Sequence, residues 1–157
     1  MIADRELCAG IELAKNLGLA CHVVPFRQFE TRQDFEHAMT QLIRQIEPDW
    51  IVLAGFMRIL GAGFVNQFAG KLINIHPSLL PLFPGLHTHR RALAAGVNEH
   101  GATVHFVTAQ LDAGPTILQA KVPVNGDDDE TSLAHRVLAA EHDLYPAALV
   151  QLLDRSC

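Results

Sequence analysis

KLINIHPSLLP, residues 71–81, is an apolar strand that runs into a loop bounded by two prolines. Successive side chains of an extended strand point to opposite faces, so Asn74 and His76 share one face and the two isoleucines take the other. The pattern therefore predicts an amide and an imidazole side by side at the end of a strand. The alternative is that Asn74 caps the strand and His76 is a satisfied loop histidine.

Strand and helix patterns alternate on both sides of this segment. We predict helices over 5–17, 31–46, 61–68, 88–95 and 133–153, the last interrupted at Pro146, and strands over 21–24, 50–54, 71–75, 102–107 and 116–122. This alternation predicts an α/β fold with a doubly wound, mainly parallel sheet of the Rossmann type. Ligands of such sheets bind beyond the carboxyl ends of the strands, where 55–60 and His76 fall.

Composition limits the classes of function. With 157 residues and a net charge of −5, the chain is predicted to form a single domain over 1–157, and no basic field favours nucleic acid. No apolar run is long enough to span a bilayer, and the acidic N-terminus argues against export. Three cysteines without C-x-x-C spacing predict free, mostly buried thiols and a cytoplasmic location; they are Cys8, Cys21 and Cys157.

A second polar loop, 111–115, contains Asp112, whose carboxylate could approach the imidazole of His76. A carboxylate there would favour the imidazolium form and keep a general acid available, while Asn74 could stabilise charge on an acyl oxygen. The alternative for Asp112 is a turn residue that bonds to its own backbone.

Two further polar residues fall on apolar patterns. Glu141 lies on the apolar stripe of the last helix, where a carboxylate needs a partner, either a structural group or a substrate amine. His105, inside a strand, is most simply a hydrogen-bonded core histidine.

Other motifs give weaker evidence of function. His87 and His89 lack further ligands at zinc-like spacing, so we predict no metal. The pair Gly61 and Gly63 lacks the rest of a dinucleotide fingerprint. No cysteine or serine sits in a nucleophile motif, so direct transfer is favoured over a covalent intermediate.

These segments resemble the phosphoribosylglycinamide formyltransferase family, folate-dependent enzymes of purine synthesis. The resemblance covers nearly the whole chain and is carried by 52–60, 74–81, 84–90, 101–108, 111–115 and 141–142.

The resemblance implies a role for each matching residue. Catalysis would belong to Asn74, His76 and Asp112. The co-substrate 10-formyltetrahydrofolate would contact Arg32, Met57, Arg58, Ile59, Leu60, Asn74, Val107, Leu111 and Asp112, with the two arginines on its glutamate tail. The acceptor, glycinamide ribonucleotide, would contact Gly55, Met57, Pro77 and Glu141. From the residues alone, Arg32 is an ordinary helix residue, and Arg58 could form a loop salt bridge.

Family members open with an apolar strand and a glycine-rich loop that holds the acceptor's phosphate. Here the sequence opens on a predicted helix, so we expect that strand, that loop and the last strands beyond the long helix to be missing. Two alternatives to formyl transfer therefore stand: hydrolysis of the formyl folate, or a catalytically silent folate-binding module. We expect small-molecule partners only, with a homo-oligomer as one possibility.

Overall fold

The computed structural model describes residues 1–154, which divide into two compact units, one over Met1–Pro48 and one that begins at Asp49. The α/β fold class is confirmed. The single domain over 1–157 stays a prediction.

The first unit contains β1 (Ile2–Ala3), α1 (Ala9–Asn16), β2 (His22–Val23), a 3-10 turn and α2 (Arg32–Ile46). The two strands pair in parallel. The predicted start of α2 is confirmed, because the Asp34 amide donates to Oγ1 of Thr31 at 3.2 Å.

The prediction that the chain opens on a helix from residue 5 is wrong. Residues 2–3 form β1, and α1 begins only at Ala9. The reason is that residues 4–8 must connect a strand bound to β2 with the helix; the carbonyl of Asp4 accepts a bond from the Phe26 amide at 3.2 Å.

The second unit carries a four-stranded sheet in the order β3-β4-β5-β6. Its elements are β3 (Ile51–Leu53), α3 (Ala62–Gln67), β4 (Leu72–His76), α4 (Thr88–Ala94), β5 (Glu99–Phe106), β6 (Thr116–Pro123) and α5 (Glu130–Asp154). Strands β3 and β4 are parallel, whereas β5 is antiparallel to both β4 and β6. Because the link between β5 and β6 contains no helix, these two strands can pair only in antiparallel fashion.

Helix α5 covers the core of this unit. Its buried residues recur at helical spacing and pack with buried side chains of β4 and β5. The helix residues are Leu133, Val137, Leu144, Ala148 and Leu152.

The predicted interruption of this helix at Pro146 is wrong, since α5 is continuous through it. Proline removes one helical hydrogen bond. The buried residues on either side of it, Leu144 and Ala148, belong to the same core. The Tyr145 hydroxyl also lies 2.7 Å from the Leu53 carbonyl oxygen and 3.1 Å from that of Ile73, at β3 and β4. We attribute the continuity of the helix to this packing on both sides of the proline.

Cys8 and Cys21 are free thiols, as predicted, but both are half-buried rather than buried. Cys157 lies outside the described residues. None of the helices within residues 1–154 combines the length and apolarity needed to cross a bilayer.

Candidate active site

His76 ends β4 and is buried, with 7% of its surface exposed. Its Nε2 lies 3.1 Å from the carbonyl oxygen of Phe83. A carbonyl only accepts, so Nε2 carries the proton and donates it to Phe83. The orientation of the ring is therefore set by the loop that follows β4.

The loop between β5 and β6 brings Asp112 to the other side of this ring. Oδ2 of Asp112 is 3.5 Å from Nδ1 of His76, within ion-pair distance, and both side chains are nearly buried. The same oxygen accepts the Gly85 amide at 2.8 Å. The carboxylate thus joins two loops.

The two ring nitrogens of His76 both face acceptors, the Asp112 carboxylate and the Phe83 carbonyl. The arrangement therefore keeps a transferable proton on Nε2 and places a carboxylate against Nδ1.

Backbone geometry explains how the Asp112 loop reaches this position. Asp112 has a left-handed φ of 50°, which aspartate tolerates better than most residues. Two residues later, a Cβ on Gly114 would lie 1.7 Å from the carbonyl oxygen of Phe106, so only glycine fits there without displacing the chain.

Asn74 lies on the same strand as His76 and contacts His105 on β5, its cross-strand partner. Nδ1 of His105 donates to the Phe106 carbonyl at 2.9 Å, which leaves Nε2 as an acceptor 3.5 Å from Nδ2 of Asn74. Burial is the main cause that lowers the pKa of His105, while the Phe106 carbonyl and Asp112 oppose it. The neutral ring therefore fixes the Asn74 amide and leaves its second hydrogen for a ligand.

Two more histidines lie near the site. Burial lowers the pKa of His100 to about 4, with smaller contributions from His89 and His76. The ring centroids of His89 and His100 are 5.3 Å apart. Burial also lowers the pKa of His89, partly offset by Glu130. These rings add no positive charge beside His76 at neutral pH.

A cavity of about 550 Å³ opens beside these groups. It is lined by eleven of the thirteen predicted site residues: Gly55, Met57, Arg58, Ile59, Leu60, Asn74, His76, Pro77, Val107, Leu111 and Asp112. The structure therefore brings together the three predicted catalytic side chains and most of the predicted binding residues.

The remaining two predicted residues do not line this cavity. Arg32 begins α2 in the first unit, with its Nε 3.4 Å from Oε1 of Glu36. Glu141 lies half-buried on α5, and burial raises its pKa against the opposing effect of His142. Their binding roles stay predictions.

Sequence reasoning missed other cavity residues, among them Phe56, Leu86 and Glu130. Glu130 pairs with Arg90 at 3.0 Å. His105 is buried, as expected of a core histidine, but it also contacts Asn74. A prediction of how β4 and β5 pair would have placed His105 opposite Asn74 and so indicated this contact.

A family model described as formyl transferase matches residues 1–149. The phosphoribosylglycinamide formyltransferase of Escherichia coli is 50% identical over 145 residues, covering 92% of this chain and 68% of the E. coli protein. This chain belongs to the phosphoribosylglycinamide formyltransferase family.

Other members of the family are also similar in sequence and in structure. The human trifunctional purine biosynthetic protein adenosine-3 is 42% identical over 95% of this chain, which spans 15% of that protein. The crystal structure of the family member from Brucella melitensis superimposes with a TM-score of 0.89 at 46% identity, covering 96% of this chain and 78% of that one. The fold expected from the family resemblance is therefore confirmed.

Proposed function

We propose that this chain transfers a formyl group from 10-formyltetrahydrofolate to the amine of glycinamide ribonucleotide. The observation that carries the proposal is the convergence of Asn74, His76 and Asp112 on one cavity wall, in a chain of this family. An amide donor, a proton carrier and a carboxylate are the groups that acyl transfer between two nitrogens needs.

The reaction proceeds by direct attack. The amine nitrogen of the acceptor forms a bond to the formyl carbon, and the carbonyl electron pair moves onto oxygen. The free N–H of Asn74 stabilises that oxyanion. The carbon–nitrogen bond to the folate then breaks. The leaving nitrogen takes the Nε2 proton of His76, and the attacking nitrogen returns a proton to the ring.

Asp112 and Phe83 keep the ring ready for this exchange. The carboxylate at Nδ1 stabilises the imidazolium, and the carbonyl at Nε2 holds the proton until a substrate nitrogen replaces it. In this role His76 acts as a general acid and then as a general base.

The folate ring lies against 57–60 and 107–112, and Arg58 binds the carboxylates of the glutamate tail. Met57 and Ile59 are 85% and 66% exposed, an apolar surface that a flat heterocycle would cover. The acceptor occupies the side of the cavity near Gly55, Met57 and Pro77, and Glu141 binds its amine. We place this activity in the cytoplasm, on two small molecules.

The test uses purified protein with formyl folate, with and without the ribonucleotide amine. We expect deformylated folate and formylated acceptor in equal amounts. Folate release that ignores the acceptor would instead indicate the hydrolase. Donor binding without either product would indicate a silent binding module.

A further inference from the structure

Three residues lie in a row across the sheet, one on each of three adjacent strands. Thr103 on β5 is the register partner of His76 on β4 and also of Gln119 on β6. Directly opposed residues of antiparallel strands share a face, so the row leads from the edge strand to the proposed proton carrier.

The Thr103 hydroxyl is completely buried and uses its whole bonding capacity. It donates to the Ser78 carbonyl at 2.7 Å, and it accepts the Leu80 amide at 3.0 Å and the Gln119 side-chain amide at 2.8 Å. A hydroxyl has one proton and two lone pairs, so every position is filled.

Gln119 makes a second bond to the same loop. Its Nε2 donates to the Leu80 carbonyl at 2.9 Å as well as to Thr103, which uses both of its hydrogens. Gln119 is itself exposed on β6, and only its amide reaches inward.

The loop held in this way is the one that orients His76. Within it, the Ser78 hydroxyl donates to the Leu82 carbonyl at 2.6 Å, and the next residue, Phe83, supplies the carbonyl at Nε2 of His76. Moving Ser78 and Leu80 therefore moves the acceptor that holds the ring proton.

From these contacts we infer that Thr103 and Gln119 are positioning residues for formyl transfer: they fix the loop 77–83 so that the Phe83 carbonyl keeps the transferable proton on Nε2 of His76. This inference rests on the proposed function. Neither residue lines the cavity, so they act through the loop and not on a substrate.

The first test compares Thr103→Val, which keeps the shape but removes the hydroxyl, with Thr103→Ser, which restores it. We expect Thr103→Val to lower kcat about tenfold, with KM for both substrates within about twofold, and Thr103→Ser to recover most of the rate. Thr40→Val, at a buried threonine of α2, is the matched control and should leave kcat unchanged.

The second readout does not depend on turnover. The Nε2 proton of His76, observed by nitrogen-15 NMR of the imidazole rings, should exchange slowly with solvent in the parent and Thr103→Ser, and rapidly in Thr103→Val. If the parent chain transfers no formyl group, the proposed function fails, while this exchange measurement still decides the positioning role.

Gln119→Leu is the second test variant if Thr103→Val does not fold, because Gln119 is exposed on the edge strand β6 and tolerates substitution. We expect it to lower kcat about threefold and to speed the same proton exchange. Unchanged exchange and unchanged kcat in a folded Thr103→Val or Gln119→Leu protein would overturn the inference, and so would an equal loss in Thr103→Ser.

Discussion

Nδ1 of His76 and Oδ2 of Asp112 lie 3.5 Å apart, although one residue ends β4 and the other sits in the loop between β5 and β6. Both side chains are nearly buried, so little water screens the ring from the negative charge of the carboxylate. Since the carboxylate also accepts the Gly85 amide, it fixes the geometry of the site as well as its charge.

Asp112→Asn separates these two contributions. The amide oxygen still accepts the Gly85 N–H, but the negative charge beside His76 is lost. We expect kcat to fall about 10- to 100-fold with the melting temperature nearly unchanged. The measurements are steady-state kinetics and thermal unfolding.

The control for this variant is Asp127→Asn, in an exposed turn. It should keep the parent's rate. A fully active Asp112→Asn protein would show that the charge has no part in catalysis.

Gly114→Ala tests the backbone route of the Asp112 loop. The added methyl group would overlap the Phe106 carbonyl oxygen, 1.7 Å away, so the loop must move and carry the carboxylate with it. We expect a loss of about 1–3 kcal/mol in the free energy of unfolding and at least a tenfold loss in kcat.

Gly63→Ala is the matched control for that change. Gly63 lies in α3, and a Cβ there meets nothing within 4 Å. Alanine should stabilise the helix by about 0.5–1 kcal/mol without changing the rate. Equal effects of the two substitutions would contradict the account of the loop.

The lowered pKa of His100 predicts how the free energy of unfolding depends on pH. Burial lowers its pKa from 6.5 to about 4, so between these values the unfolded chain binds a proton that the folded chain excludes. This histidine does not reduce the free energy of unfolding above about pH 6.5. As the pH falls toward 4, proton uptake by the unfolded chain lowers the free energy of unfolding by up to about 3 kcal/mol. His89 and His105, whose pKa values are also lowered, act in the same direction.

The measurement is urea unfolding of the parent and of His100→Asn at several pH values between 4 and 7. The variant should lose less stability on acidification than the parent does, whereas His135→Asn, at an exposed position of α5, should follow the parent. Parallel curves for the parent and His100→Asn would refute the assignment.

Much of this fold follows from local patterns. The alternation of isoleucine with Asn74 and His76 predicted the strand and the face that carries the site, and the Thr31 cap predicted the start of α2. These features depend on residues close in sequence, where periodicity and capping are informative.

The features that were wrong or not predicted depend on contacts between residues far apart in the sequence. Nothing near Pro146 indicates the core contacts on both sides of it, and a strand as short as β1 is defined by its partner β2. For the same reason the bonds from Thr103 and Gln119 to the loop 77–83 were not predicted, because they require the pairing of β4, β5 and β6.

The most direct measurement is the acceptor-dependent rate of formyl transfer by the parent chain and by His76→Ala, with folate binding measured in parallel. We expect the parent to turn over and the variant to bind folate but to lose at least about a hundredfold in kcat. A His76→Ala protein that transfers the formyl group at the parent's rate would show that His76 does not carry the proton.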